Sequence, residues 1–525
     1  METTNSIGKK ELSAPWQDFF SENTELKETS PEASGKIHVI QSISSINLFY
    51  ENVRNLVGYQ QEQMLRRIAI ERFLKRPTLV RLTVTEIANN LVRELIYSGY
   101  LQNDSVEDIT VERVANVLNR YALLKNHFNR EHLEFITGVE STEIESLLSP
   151  RADFESVIDI FYQIIHSHMK KMSAVAEGAL LGALHRVFEK ADVPTQRYYL
   201  LKKQIPNFFL CGVQVDGEII ESFRMAMRKV NNELTSTHFQ KYLIIAKKFY
   251  PIYYVVRGIV AKGKVKAEKI MHDPVMIERN VTLMVSEYNS GFLEKLYRSV
   301  LKAIVFIFLT KMTLGLILEI PYDSYFLGHI NYLPLFINLF TPPLLLLLSS
   351  SLITIPGPNN AARLTELTKA VLYNPDDISL EQIAYHRPSN RGGIGAIIMN
   401  IFYLLSFVII FGGLIMLLRL LDFNPVSASL FFFFLSTVSF FAFRIRRGAD
   451  DLVVIEGHES SFAAAIDFLL LPFLTIGYQV STRLDKANIF LFIFDFILEA
   501  PFKIVVQLLE QWLGFVRAKK DEMIS

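Results

Sequence analysis

The stretch Val300–Ile320 reads VLKAIVFIFLTKMTLGLILEI, and its reading decides the fold. An α-helix needs about 20 apolar residues to cross the hydrocarbon core of a bilayer. In lipid the backbone must satisfy its own hydrogen bonds, so a run of this kind reads as a spanning helix. Three more runs follow, at Tyr332–Ile355, Ile394–Leu418 and Ser427–Phe443. The expected fold class is all-α: a polytopic α-helical membrane protein with a large N-terminal cytosolic helical domain.

Basic residues fix the expected orientation, because Lys and Arg concentrate on the inner side of a membrane. Lys295, Arg298 and Lys302 flank the start of the first run, while Glu319 and Asp323 follow it. Arg363, Lys369, Arg387 and Arg391 lie in the loop 359–393, and Arg444, Arg446 and Arg447 follow the fourth run. The three positions agree on a four-span core over 298–447 with an inner N-terminus. Met1–Gly35 carries no apolar signal-peptide core. The expectation is an integral membrane protein with both termini cytosolic, in a bacterial inner membrane or its equivalent.

Composition narrows the partners. Lys plus Arg and Asp plus Glu each number 54, so there is no basic excess to hold a nucleic acid. The single cysteine, Cys211, excludes an intrachain disulfide and a Cys-based zinc site. The expected partners are the lipid bilayer and other proteins, met through the cytosolic domain; a homo-oligomer is compatible with the sequence.

The domain from 36 to 297 reads as mainly helical. Thr83-x-x-Glu86 has the form of a capping box ahead of Ile87, Leu91, Val92, Leu95 and Ile96. Thr110 is expected to cap a helix with Val114, Val117, Leu118 and Tyr121 on its inner stripe. Helical periodicity also covers Phe154–Met172, Ala174–Phe188 and Ile219–Val230, while Phe208–Val215 reads as a short strand before the turn Asp216-Gly217. Ahead of this domain, residues 1–35 have little to bury and read as a disordered tail. Trp16, Phe19 and Phe20 would share one helical face within it, as a docking peptide for a partner's groove or as a segment that folds back on its own domain.

The C-terminal part is less regular. Phe462–Val480 contains Asp467, and Asn488–Leu498 contains Asp495 just before Glu499. With Arg483 and Lys486 between them, 448–500 reads as a further span pair or a re-entrant hairpin. Residues 501–525 read as an amphipathic helix and basic tail. Phe502 and Trp512 lie on its apolar face, with Arg517, Lys519 and Lys520 following, which suits an inner membrane surface or packing on the protein itself.

Chemistry-bearing motifs are sparse. Gly258–Val265 almost matches a phosphate-binding loop, yet Val265 stands where the Mg²⁺-binding hydroxyl belongs. Asp450, Asp451, Glu456, His458 and Glu459 cluster after the fourth run, as oxygen ligands for a cation or as a charged loop balancing the adjacent arginines. There is no His-Glu-x-x-His and no Gly-x-Ser-x-Gly, so no catalytic, metal or cofactor-binding residues are expected. The charges inside the apolar runs are the candidates: Lys311, Asp467, Asp495 and Glu499. Such charges usually pair or line a wet path. Lys311 is expected to pair with Asp467 or Asp495, or to snorkel to an interface. Pro342-Pro343 is expected to break the second span. The functional expectation is a membrane-anchored adaptor or regulator acting through its cytosolic domain; the alternative is an ion or small-solute transporter using Lys311, Asp467 and Asp495.

Overall fold

The capping box read at Thr83 and Glu86 is formed: the Glu86 carboxylate accepts from the Thr83 N–H at 2.8 Å, and the Thr83 hydroxyl accepts from the Glu86 N–H at 3.3 Å. Reciprocal satisfaction of two orphan donors starts the helix Val84–Tyr97, whose Leu91, Val92, Leu95 and Ile96 are buried. The computed structural model describes residues 10–21, 36–37, 62–76, 82–150, 152–169, 173–210, 215–351, 355–377, 394–454 and 470–480. Among them the chain is all-α, with no strand and one isolated antiparallel bridge, Lys36 to Glu107. They divide into two units, drawn from Met1–Pro274 with Leu367–Ala384 and from Val275–Glu366 with Tyr385–Lys503.

The first, helical unit comprises α1 (Ala14–Ser21), α2 (Glu62–Leu74), α3 (Val84–Tyr97), α4 (Asp108–Lys125), α5 (Arg130–Leu148), α6 (Ala152–Ser167), α7 (Ala174–Phe188), α8 (Val193–Gln204), α9 (Gly217–Thr235), α10 (Thr237–Val260) and α11 (Lys264–His272). Two local expectations are corrected. Thr110 does not cap α4, which begins at Asp108 after Glu107. The reason is the bridge from Lys36 and the Ile37 N–H bond to the Val106 carbonyl (3.1 Å), which keep Val106 and Glu107 extended and set the start there. The inner stripe of α4 is as read: Val114, Val117, Leu118 and Tyr121 are buried. Phe208–Val215 does not open as a strand. Pro206–Phe209 form a 3₁₀ turn, which a proline at its first position favours. Phe208 is buried between Tyr121 and Phe223, at ring-centroid distances of 5.4 and 5.1 Å; residues 211–214 lie outside the described part.

Helix α5 is the axis of this unit. Every residue from Phe135 to Glu145 is buried, because α2, α4 and α8 pack around it. Its three buried carboxylates are each met by a cation from another helix. Glu145 takes Arg66 at 3.0 Å, Glu143 takes Arg120, and Glu140 takes Lys125. Tyr121 also donates to Glu143 at 2.9 Å. Burial pushes the Glu140 and Glu143 carboxyls above their ordinary range, and the paired cations pull the other way. Removing one partner of a buried pair strands the other, at about 3–5 kcal/mol. Glu143→Ala is therefore expected to cost that much in chemical denaturation, and Glu143→Gln, whose one amide oxygen still accepts from Arg120 while its NH₂ meets the Tyr121 hydroxyl, less.

Another buried carboxylate, Glu233, sits on a glycine. A Cβ on Gly178 would lie 2.1 Å from the Glu233 carboxyl carbon, so the carboxyl fills the space that a side chain at 178 would need. Gln204 donates to both Glu233 oxygens, at 3.0 and 2.9 Å. Burial raises this carboxyl to about 7, against the opposing influence of Lys229, Gln204 and Lys203. A carboxyl raised on folding favours the protonated folded state, so its contribution is full at acidic pH and is lost as pH rises through about 7. The thermal midpoint should fall as pH rises from about 4.5 to about 7 and level off above that, and Glu233→Gln should flatten the slope.

The second, apolar unit contains α12 (Pro274–Leu314), α13 (Tyr332–Ser351), the start of α14 (Pro358–Tyr373), α15 (Ile394–Leu420), α16 (Pro425–Ala449) and the shorter α17 (Leu470–Val480). Among the described residues, four helices here are long and apolar enough to cross a membrane. α13 packs along α16. One buried cluster joins Leu418, Phe423, Phe431, Leu435 and Phe473; another joins Leu296, Val300, Leu346 and Val438. α17 fits against α16 because residue 477 is glycine: a Cβ there would stand 2.3 Å from the Ser436 carbonyl oxygen. Pro342 and Pro343 do not break the second run; both lie inside α13. Transmembrane-type helices tolerate proline where neighbouring groups take over the freed backbone.

Candidate functional site

Helix α12 does not stop at Leu314. It continues through a π segment at Gly315–Glu319, a turn at Ile320–Tyr322 and a second π segment at Asp323–Leu327, before Gly328 turns the chain at φ +72°. Pro321 explains the distortion, since it lacks the N–H that an α-helix would use. π segments inside helices recur at functional sites. This one draws Glu319 and Asp323 into the bundle, where each is 2% exposed. Their reading as water-side flanks of the first run is thereby corrected.

Lys311 is 3% exposed and Asn338 is fully buried. The Lys311 ammonium donates to Asn338 Oδ1. On the other side of the same amide, Asn338 Nδ2 donates to Glu319 Oε1 at 2.5 Å and to the Ser427 carbonyl at 3.1 Å. Asn338 thus bridges an ammonium and a carboxylate. The Phe434 ring lies 4.4 Å from Lys311 Nζ, a cation–π contact that replaces part of the lost hydration. Proline at 342 has no N–H for the Asn338 carbonyl four residues back, so the backbone is opened at the same place.

The bridge continues toward the turns at the end of these helices. The Ser427 hydroxyl bonds to Glu319. The Ser427 N–H donates to Asn424 Oδ1 at 2.7 Å, Asn424 Nδ2 donates to Asp323 Oδ1 at 2.5 Å, and the Asn331 N–H donates to Asp323 Oδ2 at 3.3 Å. Glu319, Asp323, Asn338, Asn424 and Ser427 are all buried. Hydrogen bonds among buried polar groups in a low-dielectric setting reinforce one another, and each unmade bond is costly.

The expected partners of Lys311 were acidic and distant in sequence; the structure gives it Asn338, with the Glu319 charge also acting on it. Snorkelling does not describe Lys311, whose side chain is buried in the cluster. Asp467, Asp495 and Glu499 lie outside the described residues, as do Phe502, Trp512, Arg517, Lys519 and Lys520. Glu319, Asp323, Asn338 and Asn424 were missed as site residues. One signal was present: Asn338 is the one amide between Tyr332 and Ser351.

Trp16 is fully buried and Phe19 nearly so, both within their own unit; Phe20 is half-buried. Trp16 packs edge-on against Phe161 at 6.4 Å. Its indole N–H donates to the Val371 carbonyl at 3.2 Å, and the Ser13 N–H donates to the Leu372 carbonyl at 2.9 Å. These carbonyls belong to the last turn of α14, where a helix has no donors of its own. The N-terminal segment therefore folds back and caps α14. Lys264 Nζ lies 4.7 Å from the Phe19 ring centroid and 3.6 Å from Asp153.

The near-match to a phosphate loop has no matching fold. Tyr253–Val256 lie in α10, and Gly263, at φ +96°, joins α10 to α11. Asp450–Leu452 form a 3₁₀ turn, while Glu456, His458 and Glu459 lie outside the described residues. Among the described residues no group of three metal-binding side chains converges.

No protein-family model, curated protein or solved structure matches this chain.

Asn338→Ala would leave Lys311 and Glu319 without their common partner. Interhelical hydrogen bonds in membrane proteins are worth about 1–2 kcal/mol at most. The detergent-solubilised variant should lose stability on that scale in a thermal unfolding assay, whereas Thr341→Ala, which removes a hydroxyl bonded to the Ile337 carbonyl of the same helix, should lose less.

Proposed function

We propose that this chain is a multi-pass membrane protein that couples ion binding to movement of its apolar helices, the elementary step of ion-driven transport. The observation that carries the reading is the Lys311–Asn338–Glu319 bridge, buried within helices of spanning length. Ionisable groups withdrawn into such helices are costly, and they mark ion or proton pathways by default. The bilayer assignment is supported by the apolar side chains left bare on these helices, among them Leu301, Leu309, Leu404 and Val408, each more than half exposed. Contiguous faces of that kind are covered by lipid or by protein. The basic flanks support placing the helical unit and both termini in the cytosol. Membrane-surface binding by Phe502, Trp512, Arg517, Lys519 and Lys520 belongs to the same proposal.

The second reading is a membrane-anchored adaptor whose helical unit binds other proteins. Its support is that this unit has its own core around α5, a larger structure than anchoring requires. Composition alone favours the adaptor; the buried cluster tips the balance toward ion coupling.

Proteoliposomes of the full chain on a solid-supported membrane electrode separate the two. Solution steps in Na⁺, K⁺ or pH should evoke a transient current above that of protein-free liposomes for at least one ion. Lys311→Met and Glu319→Gln, incorporated equally well, should abolish it. Silence to every ion overturns the coupling reading and leaves the adaptor.

A further inference from the structure

Two carboxylates and one ammonium meet in the buried cluster, so full ionisation leaves it one negative charge in excess among the described residues. The charges acting on Glu319 are Lys311 and Asp323. Helix α13 contributes the neutral Asn338, and α16 with its preceding turn contributes Asn424, Ser427 and Phe434. His329, Arg419 and Asp422, in the two turns or next to them, are exposed. An uncompensated buried charge is costly, so the site calls for one more positive charge.

The chemistry of the surroundings decides which. Hard metal cations take a cage of oxygen ligands. Here the carboxylate oxygens are already engaged by hydrogen donors: Asn424 and Asn331 on Asp323, and Asn338 and Ser427 on Glu319. Such a shell leaves no oxygen cage for a metal ion, whereas a proton needs only one lone pair, and the negative charge in excess favours its uptake over the donors that hold each carboxylate ionised. Glu319 and Asp323 are four residues apart, so they lie on adjacent turns of the same helical stretch. Asp323 is bonded to residues of both turns, Asn331 and Asn424, and Lys311 lies at the other end of the chain of contacts.

We infer that the ion handled at this site is the proton, carried by Asp323 and Glu319 from the turn end of the bundle to the side of the Lys311 ammonium. The inference rests on the ion-coupling reading above. Asp323 takes a proton from water and becomes a neutral carboxylic acid. It passes that proton to the Glu319 carboxylate and is itself restored as a carboxylate. The proton rests on Glu319, where with the Lys311 ammonium and the Asp323 carboxylate it leaves the cluster neutral. Asn338, Asn424 and Ser427 carry no proton in this scheme; they hold the two carriers and the Lys311 ammonium in line.

Two measurements on the full chain in lipid test it. In the electrode assay, pH steps should evoke the transient current and Na⁺ or K⁺ steps at constant pH should not. Glu319→Gln should abolish the current, Asp323→Asn should slow it several-fold, and Glu319→Asp should restore part of it. In infrared spectra taken across a pH series, the carbonyl stretch of a protonated carboxylic acid should titrate in the wild type and be missing from Glu319→Gln. Helical circular dichroism and a monodisperse elution profile certify each variant. A current that follows Na⁺ or K⁺ but not pH overturns the proton assignment and leaves ion coupling standing. So does a pH-evoked current unchanged in Glu319→Gln and Asp323→Asn, together with an unchanged carboxyl band. Silence to all ions overturns the coupling reading and the inference together.

Discussion

A charge removed from water without a partner costs more than a single packing contact returns, and both units of this protein are organised around that constraint. Around α5 in the helical unit the partners are full opposite charges. Arg66, Arg120 and Lys125 reach in from α2 and α4 to the carboxylates of α5. In the apolar unit the ammonium and the carboxylate are bridged by a neutral amide, Asn338. The first arrangement fixes which helices surround α5. The second fixes the register of α13 against α12, because the amide must face both groups at once.

The difference between the two networks has a physical meaning. Three one-to-one ion pairs leave the α5 network balanced in charge. The Lys311 cluster does not balance, and its helical backbone is already opened by Pro321 and its π segments and by Pro342. A locked network and an adjustable one suit different tasks, and the adjustable one lies where the helices are long enough to span a bilayer.

Much of the fold was legible in the sequence because it follows from local rules. The Thr83–Glu86 box, the α4 stripe and the four apolar runs depend on spacing and hydrophobicity alone. The candidate site was half legible. Lys311 stood out because a charge in an apolar run is conspicuous; Asn338 did not, because an amide adds no charge and its pairing depends on the register of two helices. Glu319 and Asp323 misled for a related reason. An apolar run followed by acids reads as a span leaving the membrane, whereas Pro321 and two π segments carry the helix onward and draw both acids inside. Trp16 and Phe19 illustrate a further limit. An aromatic face has the same periodicity whether it is destined for another protein or for its own, and here it closes onto Phe161 and Val371.

That closure has a consequence for biosynthesis. The indole of Trp16 and the carbonyl it binds are separated by 355 positions in the chain. A ribosome moving from the N-terminus releases α1 early and the end of α14 much later, after the first two apolar runs have been made. Contacts of such long sequence separation form last, once the intervening chain is in place. Trp16 can therefore meet Phe161 well before its indole N–H finds the Val371 carbonyl, and the cap on α14 is the later of its two contacts to close.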